Sequence, residues 1–327
     1  MAKRLMLLDT ASLYFRAFYG VPESVHAPDG TPVNAVRGLL DMIARLVTEF
    51  EPDALVACWD DAWRPRWRVD LIPSYKAHRV AEEVPGGVDI EVVPENLTLQ
   101  LPVIREVLET FDIAIVGAAD HEADDVIGTL ASGGSPATGA TTAVDIVTGD
   151  RDLFQLVDDD ANVRVIYTAR GMSRLELVTG SVLRSKYGVD ARQYVDFAVL
   201  RGDASDGLPG VAGIGEKTAA TLLGQYGSLE GLRAAASGGG GDSTGGDSSG
   251  PPLSVSLRAK LVAASDYLDV APRVVSVVRT LDLGPIDATL RPLSPASRSH
   301  IATLASRWAL GTSATRALAA LTSPAPT

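Results

Sequence analysis

Cysteine is nearly missing from this chain. Cys58 stands alone among 327 residues, which excludes a disulfide framework and any thiolate metal cluster. The four histidines form no ligand cluster either. No apolar run is long enough to span a bilayer. Lys3-Arg4 followed by Leu5 to Leu8 starts like a signal peptide, but Asp9 ends the run too early. A cytoplasmic protein with no membrane partner is expected. Positive charge is also short: 29 Lys and Arg against 41 Asp and Glu, a net −12. That argues against a diffuse basic surface for nucleic acid. The objection is incomplete, because metal ions held among carboxylates invert the local field toward phosphate.

What the chain does have is acid at the ends of strands. The run 113–117 reads as a buried strand and 122–131 as a helix, with Val126, Ile127 and Leu130 on one face. Between them stand Glu122, Asp124 and Asp125. A second strand over 143–147 leads into Asp150, Asp152 and a short helix over 151–157. Any one of these acids alone reads as a helix cap. The strand 4–8, however, also ends in acid, at Asp9, and the strand 53–59 ends at Asp60. The amphipathic helix between them, 34–50, makes a right-handed crossover unit. In an open parallel sheet such ends share one rim, and carboxylates that crowded require cations. A divalent metal site follows.

After Asp60 the chain turns basic and aromatic, through Arg64, Arg66, Trp67, Arg68, Tyr75, Lys76 and Arg79, a composition suited to nucleic acid. Residues 80–95 read as a mobile acidic excursion, 94–111 as helix and 162–167 as a last strand. A helical region starts near 181. In it, Asp203 and Asp206 precede Gly213-Ile-Gly215 and a helix from about Glu216, a hairpin whose free N–H groups suit a phosphate, with Lys217 adding charge. Residues 237–252 are almost wholly Gly, Ser and Asp and read as a disordered insertion. Helix resumes over 257–268, and from 291 an Ala/Ser-rich stretch ends in helix and a loose tail.

Leu8-Asp9, Trp59-Asp60, Tyr75-Lys76-Ala-His-Arg79, Glu122-Ala-Asp-Asp125, Thr148-Gly-Asp-Arg-Asp152, Gly202-Asp-Ala-Ser-Asp206 and Gly213-Ile-Gly-Glu-Lys-Thr-Ala219 stand in one order. Together they resemble the bacterial 5′-nuclease family, which comprises the 5′-exonuclease domains of DNA polymerase I, the phage 5′-nucleases and the flap endonucleases. The likeness covers roughly the first 280 residues, and no polymerase follows, so a free-standing member is expected.

The resemblance implies an α/β fold: a parallel-sheet, PIN-like core over residues 1–180 and a helical DNA-binding region over 181–327. The latter contains a helix–three-turn–helix at about 198–225. It implies a structure-specific 5′-flap endonuclease and 5′–3′ exonuclease of replication and repair, acting as a monomer on flapped, nicked or gapped duplex and on RNA–DNA hybrid. Two or more Mg²⁺ or Mn²⁺ would be held by Asp9, Asp60, Glu122, Asp124 and Asp125 in one site and Asp150, Asp152, Asp203 and Asp206 in the other. Lys76 and Arg79 would engage the scissile phosphate. Phe15, Arg16, Arg68, Tyr75, Gly213, Gly215, Lys217 and Thr218 would contact DNA, with K⁺ at the hairpin. Competing readings are a catalytically weak branched-DNA binder, a ribonuclease, and a phosphatase using Asp9, the last opposed by Ala11 where a second Asp is usual. Three departures from the family pattern stand out: Gly207 in place of an Asn, which is expected to loosen that turn, the absence of basic residues in 80–95, and the Gly/Ser insertion.

Overall fold

The computed structural model describes residues 3–133, 143–237 and 253–322. The insertion expected over 237–252 lies outside the described residues apart from Ser237, as does the tail beyond 322.

Strand β1 (Arg4–Asp9) alternates its side chains, as a strand covered on both faces must: Leu5 and Leu7 join one buried cluster, Met6 and Leu8 the other. Helices α1 (Thr10–Gly20) and α2 (Asn34–Phe50) follow, and α2 keeps the bounds its periodicity predicts. Strand β2 (Ala54–Cys58) leads to α3 (Arg66–Leu71). The excursion is an antiparallel hairpin, β3 (Val80–Glu82) against β4 (Ile90–Glu91), tied down by the Arg64–Asp89 ion pair and by the Trp63 indole donating to Asp89 O at 2.6 Å. The helix expected over 94–111 is two, α4 (Glu95–Thr98) and α5 (Leu101–Thr110). Strand β5 (Ala114–Val116), helix α6 (Ala123–Ala131) and strand β6 (Ala143–Thr148) come next. The short helix expected after β6 is a 3-10 turn, Asp152–Leu156.

Strand β7 (Val163–Tyr167) is not the last. Strand β8 (Glu176–Val178) adds antiparallel to it and closes a six-stranded sheet of order β5-β2-β1-β6-β7-β8, otherwise parallel. The chain runs outward from β1 on one side and returns through β6 on the other, so the crevice of the topological switch lies between β1 and β6.

Helices α7 (Gly180–Tyr187), α8 (Tyr194–Arg201), α9 (Glu216–Tyr226), α10 (Leu229–Ala236), α11 (Val255–Ala263) and α12 (Ser265–Val275) make the helical region, with a break at Ala264 inside the helix expected over 257–268. The end of the chain leaves that region, contrary to the division expected at residue 180. Thr289 bridges to Ala54, and α13 (Pro295–Arg307) and α14 (Gly311–Thr322) pack on α5 and α2. The small buried residues Ala314 and Ala317 allow the close approach, and Arg316 pairs with Asp41 at 2.7 Å.

Candidate active site

Asp9 ends β1 and caps α1: its Oδ1 accepts from Ser12 N at 3.1 Å and its Oδ2 from the Thr148 hydroxyl at 2.6 Å. Thr148 ends β6, the neighbouring strand, so one hydrogen bond closes the crevice at the switch point. The same hydroxyl accepts from Asp150 N, and Asp150 Oδ1 accepts from Asp152 N, both at 2.8 Å. Asp60, after β2, accepts from Ala123 N at 2.9 Å and so caps α6. Helix α6 thus presents Glu122 and Asp124 to the rim. A cleft of about 620 Å³ is lined by Asp9, Asp60, Glu122, Asp124, Asp150 and Asp203, together with Phe15, Lys76 and Arg79. Below it, a cavity of about 10 Å³ is bordered by Glu122, Asp124, Asp152 and Asp206. Eight of the nine expected acids therefore border one or the other of two cavities that share Glu122 and Asp124; Asp125 borders neither.

Burial pushes the Asp9 carboxyl up to about 7, helped by nearby Asp60 and Asp150 and opposed by Thr148. Burial raises Asp60 too. It drives Asp124 and Asp152 well above the carboxylate range, with neighbouring acids adding to the effect. Asp206 rises to about 6 through burial, which Lys76 opposes. Asp152 Oδ1 is buried with no hydrogen-bond partner. An all-oxygen donor set with an orphaned buried oxygen fits hard divalent cations. Among the described residues no three acids, histidines or cysteines are set close enough to hold an ion as they stand. Like charges spread apart, and some are drawn aside: Glu122 pairs with Lys76 and Arg68, Asp206 with Arg79 at 3.0 Å, and Asp203 with Arg201 at 3.2 Å.

Lys76 sits in the left-handed region at φ 48, held there by its N–H donating to Asp206 O at 2.9 Å. Burial alone would lower its amine, but Glu122 outweighs that and holds it well above its ordinary value. Beside it, Gly207 overturns the expectation of a loosened turn. Its φ is +70, and an added Cβ would stand 2.1 Å from Ser74 O, while Ser74 Oγ donates to Gly207 O at 2.8 Å. The absent side chain lets the 74–76 loop dock on the acidic turn.

Two residues expected at a DNA surface are inside. Arg68 is 2% exposed and bound to Glu122 and Asp125, and the Tyr75 hydroxyl donates to Glu122 Oε2 at 2.8 Å. Their Arg and Tyr chemistry suits phosphates and bases in the open, but here the guanidinium neutralises buried acid and the phenol hydrogen-bonds it. Phe15 lies in the cleft, with the Tyr14 ring at 5.2 Å and Trp59 beyond Tyr14 at 6.0 Å, an aromatic wall of which only Phe15 was expected to contact DNA. Tyr14 carried a usable signal, since it lies on the helix capped by Asp9. Arg16 lines a neighbouring cavity of about 850 Å³, its Nε buried and without a hydrogen-bond partner among the described residues. Gly213, Gly215, Lys217 and Thr218 are exposed at the start of α9, and Arg151 reaches across to Glu216 at 2.9 Å, linking that hairpin to the acidic turn.

The chain matches two family models: 5′–3′ exonuclease, N-terminal resolvase-like domain, over residues 4–188, and 5′–3′ exonuclease, C-terminal SAM fold, over 189–296. A 5′–3′ exonuclease of Streptomyces coelicolor is 56% identical over 317 residues, covering 97% of this chain and all of the relative. DNA polymerase I of Mycobacterium bovis is 42% identical over 229 residues, covering 70% of this chain and 24% of that protein. The fold is similar to that of T5 5′-exonuclease with divalent zinc ions bound, at TM-score 0.63 and 16% identity, over 98% of this chain and all of that one. Among the described residues no helix is long and apolar enough to cross a membrane. With both halves matched in order and a full-length relative above half identity, the chain belongs to the 5′–3′ exonuclease family.

Proposed function

We propose that this protein is a divalent-metal-dependent nuclease that cuts DNA at 5′-flaps and removes nucleotides from 5′-ends, including RNA-bearing ends. The observation that carries the reading is the collection of acids from four parallel strand ends, β1, β2, β5 and β6, in one cleft beside Lys76 and Phe15. Asp9, Asp60, Glu122, Asp124, Asp150, Asp152, Asp203 and Asp206 are the residues to hold Mg²⁺ or Mn²⁺. When bound, such ions polarise the scissile phosphate and make water a competent nucleophile at neutral pH.

The chain's own groups do the rest. Lys76, partly buried and kept charged beside Glu122, would offer its ammonium to the phosphate, and Glu122 is among the residues that would hold the ion. Arg79 stands at the open side of the cleft, half-exposed, to share that anion. Phe15 and Tyr14 give terminal bases a stacking surface that is indifferent to sequence, as a structure-specific enzyme requires. The exposed start of α9, with Lys217 and the Gly213 and Gly215 backbone, would grip duplex phosphates, and the hairpin there is where K⁺ would be held.

The test is cleavage of a 5′-labelled flap duplex with Mg²⁺ or Mn²⁺, beside Asp150→Ala and a chelator control. Cutting near the junction that both controls abolish is expected. Tight flap binding with no cutting under either metal would reduce the protein to a branched-DNA binder.

A further inference from the structure

The acids of the motif Glu122-Ala-Asp-Asp125 do not share one fate. Asp124 faces the cleft with other acids around it, whereas Asp125 is fully buried and every acceptor position on it is taken. Its Oδ1 accepts from Arg68 Nη2 at 2.7 Å and from Val278 N at 2.8 Å; its Oδ2 accepts from Arg68 Nη1 at 2.9 Å and from Glu122 N at 3.3 Å. A carboxylate has about four lone-pair sites, and all four are used. Arg68 is committed in the same way, since its Nε donates to Val274 O at 3.0 Å and Nη1 also reaches Glu122.

Both partners thus tie the start of α6 to the segment that follows α12. Other side chains grip that segment too. Gln155 accepts from Val277 N and donates to Val275 O, each at 3.0 Å, and Thr129 Oγ accepts from Leu281 N at 3.2 Å. Gly128 gives it room, since an added Cβ would lie 2.6 Å from Val278 O. The segment leaving the helical region is therefore clasped by the two elements that carry acids, α6 and the turn after β6.

We propose that Asp125 and Arg68 are positioning residues. They hold Glu122 and Asp124 in register with residues 274–278, and Asp125 holds no divalent ion. The assignment rests on the metal-dependent nuclease reading. It is tested by titrating the metal-free protein with Mn²⁺ alone in a calorimeter, without DNA. Asp125→Asn binds the same number of ions as the unmodified protein and melts at a lower temperature, whereas Asp124→Asn binds fewer. Arg68→Lys, which keeps the charge and loses the two-pronged pair, leaves flap Kd unchanged and lowers kcat about 10–100-fold. Loss of an ion by Asp125→Asn, as by Asp124→Asn, would overturn the assignment. So would an Arg68→Lys protein with weaker flap binding and intact kcat, and this variant decides alone if Asp125→Asn does not fold. Unmodified protein that takes up no Mn²⁺ and cuts no flap sinks the nuclease reading and this assignment with it. Failure of the assignment alone leaves the unmodified protein binding and cutting.

Discussion

Two buried aspartates mark the two ends of strand β6. Asp145, near its start, is flanked by arginines from the neighbouring strands: Arg4 Nη1 and Arg164 Nε each donate to its Oδ1 at 2.7 Å. Asp152, just beyond its far end, has an Oδ1 with no hydrogen-bond partner among the described residues and mostly acids around it, Arg201 opposing them. The first charge is neutralised by the chain that made it. The second keeps one oxygen without such a partner. Burying an unpaired carboxylate costs far more than burying a paired one, so Asp152 is pushed toward its protonated form while Asp145 is paired with two arginines. In a protein with a net charge of −12, where the acids cluster and what they face say more than how many there are.

The sharpest way to break that contrast is to remove the unpaired charge. Asp152→Asn is expected to lower flap-cutting kcat roughly 10²–10³-fold, the loss typical of one preorganised charge-stabilising group. Metal-free stability should hold or rise, as read by urea unfolding without divalent ions. Asp145→Ala should do the reverse. Two guanidinium groups lose their shared partner, and stability falls by about 3 kcal/mol, the low end for a broken buried pair because both arginines are partly exposed. Its kcat under conditions where it remains folded should stay near that of the unmodified protein.

Metal itself is the next lever. A hundredfold excess over Kd adds about 2.7 kcal/mol to a site found only in the native state, which a melting curve shows as a rise of about 4 °C. The rise should grow with pH. Asp9 is raised to about 7 and Asp206 to about 6, each chiefly by burial. A raised carboxyl leaves the metal-free fold most stable below the unfolded value near 4 and costs stability as pH climbs through the folded value. Metal-free Tm should therefore fall between about pH 4 and 7, and Mg²⁺ should restore it most at the upper end. An Mg²⁺-induced shift that is flat across that window would show that these acids are not the ones bound. The smallest effect expected is local. Gly207→Asn should cost about 1–2 kcal/mol by driving a Cβ into Ser74 O from a left-handed backbone.

The acids were legible because each sits within a few residues of an apolar strand, and strand ends share a rim. The same local logic missed what holds them. Arg68 and Asp125 are 57 positions apart, and nothing near Arg68 distinguishes a guanidinium that will be buried from one that will face DNA. Strand β8 has only three residues, too few for alternation to register. The hairpin at 80–91 is anchored by Arg64 and Trp63 rather than by its own propensity, so its composition read as mobile. The return of α13 and α14 leaves little trace in the sequence, because α13 buries only Ile301 and Leu304 and α14 only Ser313, Ala314, Ala317 and Leu321, too few large apolar residues for a clear periodicity.

That return sets the order in which the molecule can be finished. Helix α2 buries part of its outer face under α14, and Arg316 lies 275 positions from its partner Asp41. At a ribosomal pace of about 5–20 residues per second, roughly 15–55 s separate the emergence of the two. For that interval α2 keeps part of its outer face uncovered, so the α/β layer is finished only after the helical region has emerged.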